Sequence, residues 1–210
     1  MLSMNSWLSV AFDVVTRTLL FLFIRKVLVQ CNRTVLGFYS EYKWETSKVL
    51  AFFHPYCDSG GGGERVLWMT INAILEGCDS QADVHIVIYS GSTRSKIDVL
   101  RHVRDRFSIN LLSPYTSNKI TLIPIYSHVL MEAHRYPYAT MIFQCLASIL
   151  VGLECVLKLC PNIYIDTTGA AFTYPLFRIL DPSCKVLAYV HYPIISSDML
   201  RKVERKAPRL

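Results

Sequence analysis

Short apolar segments alternate with longer segments of helical periodicity from residue 49 to residue 200. The predicted strands are residues 49–54, 84–89, 120–124, 163–166 and 186–191. The helices predicted between them are residues 64–76, 93–107, 139–159 and 172–180. Strands that alternate with helices form parallel sheets through crossover connections, and continuously apolar strands fit a sheet that is covered on both faces. The alternation therefore predicts one α/β domain with a Rossmann-like parallel sheet.

A mostly apolar segment, residues 7–24, precedes this domain, and Arg25 and Lys26 follow it directly. Its length approaches the ~20 residues that a membrane span requires. Asp13 and Arg17 interrupt it, but they stand four residues apart and can pair on one helix face. We interpret the segment as a single-span anchor, with an interfacial helix and a soluble or cleaved segment as alternatives. Its basic flank predicts that the rest of the chain faces the cytosol.

The chain thus divides into parts of different character. The expected order is an N-terminal membrane anchor at residues 1–30, a linker at 31–48, the Rossmann-like domain at 49–200 and a basic tail at 201–210. The helix predicted at residues 139–159 is also very apolar. It can be read as a second span, but a buried domain helix or a helix resting on the membrane is the favoured interpretation.

Composition and charge exclude several classes of protein. Hydrophobic residues make up 52% and charged residues 18% of the chain, whereas disordered chains combine low hydrophobicity with high net charge. The tail carries +4 of the net charge of +6, so no nucleic-acid partner is expected. A second basic stretch, residues 94–106, is interpreted as a solvated helix face, with a surface facing phosphate or lipid as the alternative. The seven cysteines lack metal-binding spacing, which favours reduced thiols.

The end of the first predicted strand carries the most distinctive motif. His54 ends the strand, and four consecutive glycines lead directly into the next predicted helix. Glycine allows a ligand to approach the backbone closely, and a helix N-terminus favours a phosphate group. The motif is neither a Walker A loop nor GxGxxG, and a flexible surface loop is the alternative. The candidate substrate-binding residues of this region are Gly60, Gly61, Gly62, Gly63, Glu64, Arg65 and His54.

Three further candidates stand at the ends of later strands. Ligands of doubly wound sheets bind outside the carboxyl ends of the strands. His191 ends the last predicted strand and is followed by Tyr192, while Asp166 ends the fourth. His191 is the candidate catalytic residue, and Tyr192 and Asp166 are candidate substrate-binding residues. The alternatives are a structural histidine and an aspartate that caps the following helix.

Taken together, FFHPYCDSGGGGERVLW, IYIDTTGAAFTYPLF and YVHYPIISSDML resemble the asparagine-linked glycosylation alpha-1,2-mannosyltransferases of the endoplasmic reticulum. The resemblance covers residues 49–200 and also fits an N-terminal anchor. It implies the N-terminal, acceptor-side half of a GT-B glycosyltransferase. Such enzymes transfer mannose from GDP-mannose to a dolichol-pyrophosphate-linked oligosaccharide, with retention of configuration and without a metal. The resemblance therefore implies no cofactor beyond the donor substrate.

The resemblance also implies roles and a location. The glycine loop would face the donor pyrophosphate and the acceptor, and His191 would lie near the transferred sugar. The protein would act on the cytosolic side of the endoplasmic reticulum membrane, where other mannosyltransferases of the pathway are candidate partners. The donor-binding domain of the family is missing after residue 210, so the chain is expected to be truncated.

Three rival functions are weighed against this one. A non-catalytic, membrane-anchored fragment that binds lipid-linked oligosaccharide or a partner enzyme is the principal alternative. A nicotinamide-dependent oxidoreductase is disfavoured because the glycine fingerprint is broken, and fold alone does not define function. A nucleic-acid-binding protein is disfavoured because most of the net charge lies in the tail.

Overall fold

A computed structural model describes residues 48–77 and 83–190, together with the isolated positions Thr16 and Arg201. The predicted anchor, most of the linker and nearly all of the basic tail lie outside the described residues. His191 and Tyr192 lie outside them as well. The candidate site within the described residues is therefore formed by the loops that follow the first four strands.

Within the described residues, five parallel strands form a single sheet with the order β3-β2-β1-β4-β5. This arrangement confirms the predicted Rossmann-like parallel sheet. The strands match the predicted segments to within one residue at most ends, except that the last one stops earlier. Their bounds are β1 Lys48–Phe53, β2 Val84–Ser90, β3 Ile120–Pro124, β4 Ile163–Asp166 and β5 Lys185–Ala188.

The four predicted helices are confirmed, and a fifth, short helix follows α2. Their bounds are α1 Gly62–Gly77, α2 Lys96–Phe107, α3 Pro114–Asn118, α4 Thr140–Lys158 and α5 Tyr174–Leu180. Three 3-10 turns were not predicted, and they span Ser127–Met131, Ala133–Arg135 and Ala171–Thr173. Short turns of this kind lack the apolar periodicity that identifies longer helices.

Helices cover both faces of the sheet, as the continuously apolar strands predicted. Alternate residues of a strand point to opposite faces, so Phe52 and Phe53 of β1 enter different cores. Phe52 packs with Trp68 of α1 and with buried side chains of α2. Phe53 packs with Tyr164 of β4 and Phe177 of α5, whose rings stack with centroids 3.9 Å apart.

The inner face of α4 belongs to the second of these cores. Val151, Cys155 and Val156 are buried there. Tyr89 of β2 donates its hydroxyl to the carbonyl oxygens of Cys155 and Leu159, which fastens the end of α4 to the sheet. This packing confirms that the segment forms a helix of the domain. Within the described residues, α4 is also the helix whose length and composition would suit a membrane span, although a third of that window is buried in the domain.

The outer face of α2 is charged and solvated, as predicted for residues 94–106. Asp98 and Arg101 form an ion pair at 3.0 Å, and Arg104 pairs with Asp105 at 2.9 Å. Ser95 caps the N-terminus of this helix, and its hydroxyl accepts from the backbone N–H of Asp98. The five cysteines within the described ranges are not paired with one another, and the reduced state of the thiols stays a prediction.

Candidate functional site

The strand order locates the position where this fold class binds ligands. The chain moves from β1 outward to β2 and β3, then returns to place β4 on the other side of β1. Neighbouring strands reached by connections that run in opposite directions define the topological switch point, and sheets of this class bind ligands in a crevice there, outside the carboxyl ends of the strands. His54 follows β1 and Thr167 follows β4, so residues far apart in sequence meet at this switch point.

His54 is held in a fixed orientation at this crevice. Its Nδ1 atom lies 2.7 Å from the hydroxyl oxygen of Thr167. That hydroxyl donates its one hydrogen to the carbonyl of Phe53 at 2.9 Å, so Nδ1 must be the donor in the contact with Thr167. The side chain of His54 is 6% exposed. Thr167, which was not a predicted site residue, thus fixes the direction of the ring and makes Nδ1 a donor.

The other ring nitrogen of His54 faces the start of α1. Its Nε2 atom lies 3.4 Å from Oε1 of Glu64, a side chain that is 13% exposed. The second carboxylate oxygen of Glu64 lies against the glycine loop, where a Cβ on Gly61 would come within 2.6 Å of it. Glycine at this position leaves room for the carboxylate. The structure therefore brings together three of the predicted site residues, His54, Gly61 and Glu64.

The remaining glycines of the loop differ in what they require. Gly60 has a φ of +85°, a conformation that favours glycine, and its carbonyl accepts from Nε of Arg106 at 3.3 Å. Gly62 begins α1, and a Cβ there would meet no atom within 4 Å. The first-turn N–H groups of a helix have no partner within the helix, so this open position lies at an electropositive end. Arg65 is exposed on the same turn.

Two side chains of α2, Arg106 and His102, approach the glycine loop at Gly60. Besides Arg106, His102 places its Nε2 atom 3.3 Å from the position that a Cβ of Gly60 would occupy. That nitrogen is buried and has no hydrogen-bond partner among the described residues. The inner members of the basic stretch therefore lie at the glycine loop, while its outer members form the solvated face.

Asp166 stands at the predicted end of β4, and its carboxylate is fully buried. It accepts hydrogen bonds from the backbone N–H and the hydroxyl of Thr168, at 2.8 and 2.9 Å, and from the hydroxyl of Tyr174 at 2.5 Å. Burial and this carboxylate together raise the pKa of Tyr174. Asp166 therefore orders the turn after β4 but does not cap the following helix, whose N-cap residue is Thr173 with no side-chain cap hydrogen bond. A contact of Asp166 with substrate stays a prediction.

A polar cluster on the neighbouring loops completes the edge. Tyr56 donates to Glu132 at 3.0 Å and packs edge-on against His128. Burial, followed by the hydrogen bond to Glu132, raises the pKa of Tyr56. His128 lies directly over Gly91, where a Cβ would come within 2.3 Å of the ring. Isolated tyrosines and histidines in a loop form no sequence motif, so this cluster was not predicted.

Among residues 48–77 and 83–190, no three histidine, cysteine or carboxylate side chains converge in a way that can hold a metal ion. Cys57 is buried beside Ser90, and burial raises the pKa of its thiol to about 12. That thiol is therefore a structural group rather than a nucleophile.

The strand order and the parallel sheet define a Rossmann-like domain with a topological switch point between β1 and β4. Residues 47–210 match the family described as "ALG11 mannosyltransferase N-terminus". The chain therefore belongs to this family, which confirms the resemblance inferred from the sequence. The match includes β1, the glycine loop and the turn after β4.

Individual relatives agree with this assignment. A protein from Mus musculus is 41% identical over 161 residues, which cover 76% of this chain and 31% of the relative. Relatives from Caenorhabditis elegans and Homo sapiens are 42% and 39% identical, over 76% and 75% of this chain. All three are named GDP-Man:Man(3)GlcNAc(2)-PP-Dol alpha-1,2-mannosyltransferase.

The chain spans about a third of the length of these curated relatives. The family match, residues 47–210, includes all five strands of the sheet. No solved structure matches the chain.

Proposed function

We propose that this chain provides the N-terminal, acceptor-side domain of an alpha-1,2-mannosyltransferase. The enzyme would transfer mannose from GDP-mannose to a dolichol-pyrophosphate-linked oligosaccharide. The observation that supports this most strongly is the relatives' shared name together with about 40% identity over three quarters of the chain. The principal alternative, a non-catalytic fragment that binds lipid-linked oligosaccharide, predicts a different outcome in the experiment below.

The crevice has groups that suit a pyrophosphate and a sugar. The N-terminus of α1 favours an anion, and Arg106 and His102 add basic groups beneath the same loop. Glu64, held beside His54, has acceptor atoms for a sugar hydroxyl. We assign the loop of Gly60, Gly61, Gly62 and Gly63 to the pyrophosphate and Glu64 to a hydroxyl of the substrate.

Two roles rest on the family resemblance and on chain order. His191 would stabilise the transferred sugar, and Tyr192 would line the same site. The location would be the endoplasmic reticulum membrane, with residues 7–24 as a single-span anchor and the domain on the cytosolic side. GDP-mannose would be the donor, with no further cofactor.

The first experiment measures mannose transfer by the 210-residue chain. The chain is expressed in microsomes that lack the endogenous enzyme and is supplied with GDP-mannose and the dolichol-linked acceptor. We expect transfer when the C-terminal part of a relative is supplied with it, because the crevice lies at one edge of the domain and faces outward. No transfer under either condition, from chain that is folded and membrane-bound, would support the non-catalytic alternative.

A glycine variant tests the crevice itself. A Cβ on Gly62 would contact no other part of the fold within 4 Å, so Gly62→Val should leave the fold intact and a loss of transfer would report on ligand approach. Gly77→Val is the matched control, because Gly77 ends the same helix and its Cβ would also meet nothing within 4 Å. We expect the first variant to lose most of its activity and the second to keep it. Equal activity of the two variants would make the loop merely structural.

A further inference from the structure

An apolar groove runs along the N-terminal half of α4. It lies between that helix and the 3-10 turn Ala171–Thr173, and its volume is about 320 Å³. Its lining consists of apolar side chains and one cysteine, which are Met141, Ile142, Cys145, Leu146, Ile149 and Phe172. A groove of this chemistry suits a hydrocarbon chain.

The groove continues toward the ligand-binding edge of the sheet. A second cavity of about 250 Å³ shares Met141, Cys145 and Phe172 with it and extends to Thr168 and Gly169. Those two residues follow Thr167, which orients His54 at the crevice. One end of the groove therefore lies beside the candidate site.

The polar residues along the groove are bound to the protein. Gln144 donates its amide N–H to the carbonyl of Met131 at 2.7 Å. Ser148 is buried and donates its hydroxyl to the carbonyl of Cys145 at 2.7 Å. These two hydrogen bonds are made to the protein's own backbone. From the turn at Thr168 to the outer end of the groove, a ligand therefore meets mainly apolar side chains.

The outer end of the groove opens onto the exposed side of α4. Ile142 is 63% exposed and Leu146 is 54% exposed, and both line the groove but not the second cavity. The helix has a mean hydropathy of 2.0 over its most apolar window. The path thus joins a polar crevice to a strongly apolar surface. A ligand with a polar head and a long hydrocarbon tail matches both ends.

We propose that this groove holds the first isoprenoid units of a polyprenyl-pyrophosphate lipid, with the head group at the crevice. The inference rests on the proposed function, since it places the lipid portion of that acceptor. It adds a binding path that the crevice alone does not define. A bilayer that contacts α4 without entering the groove, or a second copy of the chain, would give different results in the test.

The test is photolabelling of the full chain in lipid nanodiscs. The probe is geranylgeranyl pyrophosphate that carries a diazirine on its second isoprene unit, and mass spectrometry identifies the labelled peptides. We expect label on residues 141–149 and 171–172, and we expect excess dolichyl phosphate to remove it. Excess phospholipid without isoprenoid units should leave the labelling unchanged.

A matched pair of variants separates the groove from the rest of the helix. Leu146→Gln lies in the groove, whereas Leu157→Gln lies on the same helix beyond it, and both leucines are about half exposed. We expect labelling to fall about tenfold in the first, as the loss of contact with one or two methylene groups implies, and to stay unchanged in the second. Ile142→Gln replaces Leu146→Gln if circular dichroism shows that the latter misfolds.

Three results would overturn the proposal. Label spread evenly along α4, with equal loss in both variants, would indicate bilayer contact without a groove. Crosslinks from one copy of the chain to another would indicate a dimer surface. Label confined to residues near the glycine loop would place the tail elsewhere.

The labelling does not depend on mannose transfer, so the two proposals fail separately. A labelled groove without transfer in the microsome experiment would refute the mannosyltransferase while leaving a polyprenyl lipid in the groove. Transfer without label in the groove would refute only the lipid path.

Discussion

Helices α2 and α4 cover opposite faces of the same sheet, yet their outer surfaces have opposite chemistry. Each buries an apolar stripe, which includes Leu100 in α2 and Val151 in α4. Outside, α2 presents the ion pair of Asp98 and Arg101 to water. In contrast, α4 presents side chains such as Leu150, which is 54% exposed.

The difference shows that core packing does not dictate the outer surface of a helix. A soluble domain gains nothing from a row of exposed leucines, and a large exposed apolar patch indicates contact with a partner or a membrane. The two inner faces should therefore respond alike to mutation, whereas the two outer faces should differ in what they bind.

The largest expected effect lies in the core beneath α1 and α2. Trp68 is fully buried and donates its indole N–H to the carbonyl of Cys57 at 2.8 Å. Trp68→Ala should lower the free energy of unfolding by about 3–5 kcal/mol, because it leaves a cavity. Urea unfolding followed by circular dichroism would measure this. Phe177→Ala tests the opposite core, and a much smaller loss there would show that the two faces are not equivalent.

The next effect concerns the close packing of α4. A Cβ on Gly152 would lie 2.9 Å from Leu176 and 3.1 Å from the backbone of Thr173. Gly152→Val should therefore cost about 2 kcal/mol through overpacking, measured by the same unfolding experiment. The control is Gly77→Val on α1, which has open space. Equal losses would mean that helix propensity, and not packing, limits glycine substitution.

A pH-dependent effect distinguishes the α4 side. Burial alone raises the pKa of Glu154, but hydrogen bonds from Ser127, Lys158 and the backbone of Tyr126 outweigh it and lower the pKa from 4.5 to about 2. Since the folded state favours the carboxylate, its stabilisation is full above pH 4.5 and disappears as the pH falls toward 2. Glu154→Gln should cost about 1–2 kcal/mol at pH 7.

The measurement is the difference in unfolding free energy between wild type and Glu154→Gln from pH 7 to pH 2. The difference should shrink as the pH falls below 4.5. A difference that stays constant with pH would show that the charge of Glu154 does not contribute. Glu154 joins α4 to the loop at Ser127 through its carboxylate, so this pH dependence reports on the contact between the helix and the loop.

The smallest effect is expected on the outer face of α2. Arg101→Ala removes an exposed ion pair, and such pairs contribute about 0–1 kcal/mol. We expect a change below about 0.5 kcal/mol, which added salt should reduce further. A loss above 1 kcal/mol would show that this face packs against something and would weaken the contrast with α4.

Sequence reasoning predicted the fold well because it depends on periodicity. The strands and the four longer helices have continuous apolar runs or a clear helical stripe, and their bounds were close. Pro114–Asn118 and the 3-10 turns were missed because five residues or fewer carry no periodic signal. The solvated face of residues 94–106 was correct for its outer members, but Arg106 reaches the glycine loop.

The site was predicted less completely, since it depends on contacts between distant residues. The glycine loop and His54 were identified from local composition. Thr167 was not, because its role arises only when β4 pairs with β1. Asp166 was identified by position, but its hydrogen bonds to Thr168 and Tyr174 are internal. His191 and Tyr192 lie outside the described residues, and their roles stay predictions.

The strand order also has a consequence for biosynthesis. β1 is the central strand, but its partner β4 leaves the ribosome about 110 residues after β1. At roughly 5–20 residues per second, one edge of β1 stays unpaired for roughly 6–22 s. During that interval an apolar strand edge is open to pairing with another nascent chain. Correct assembly of the sheet therefore requires β4 to be synthesised before this edge pairs with another chain, and chaperones that bind nascent strands would favour the correct outcome.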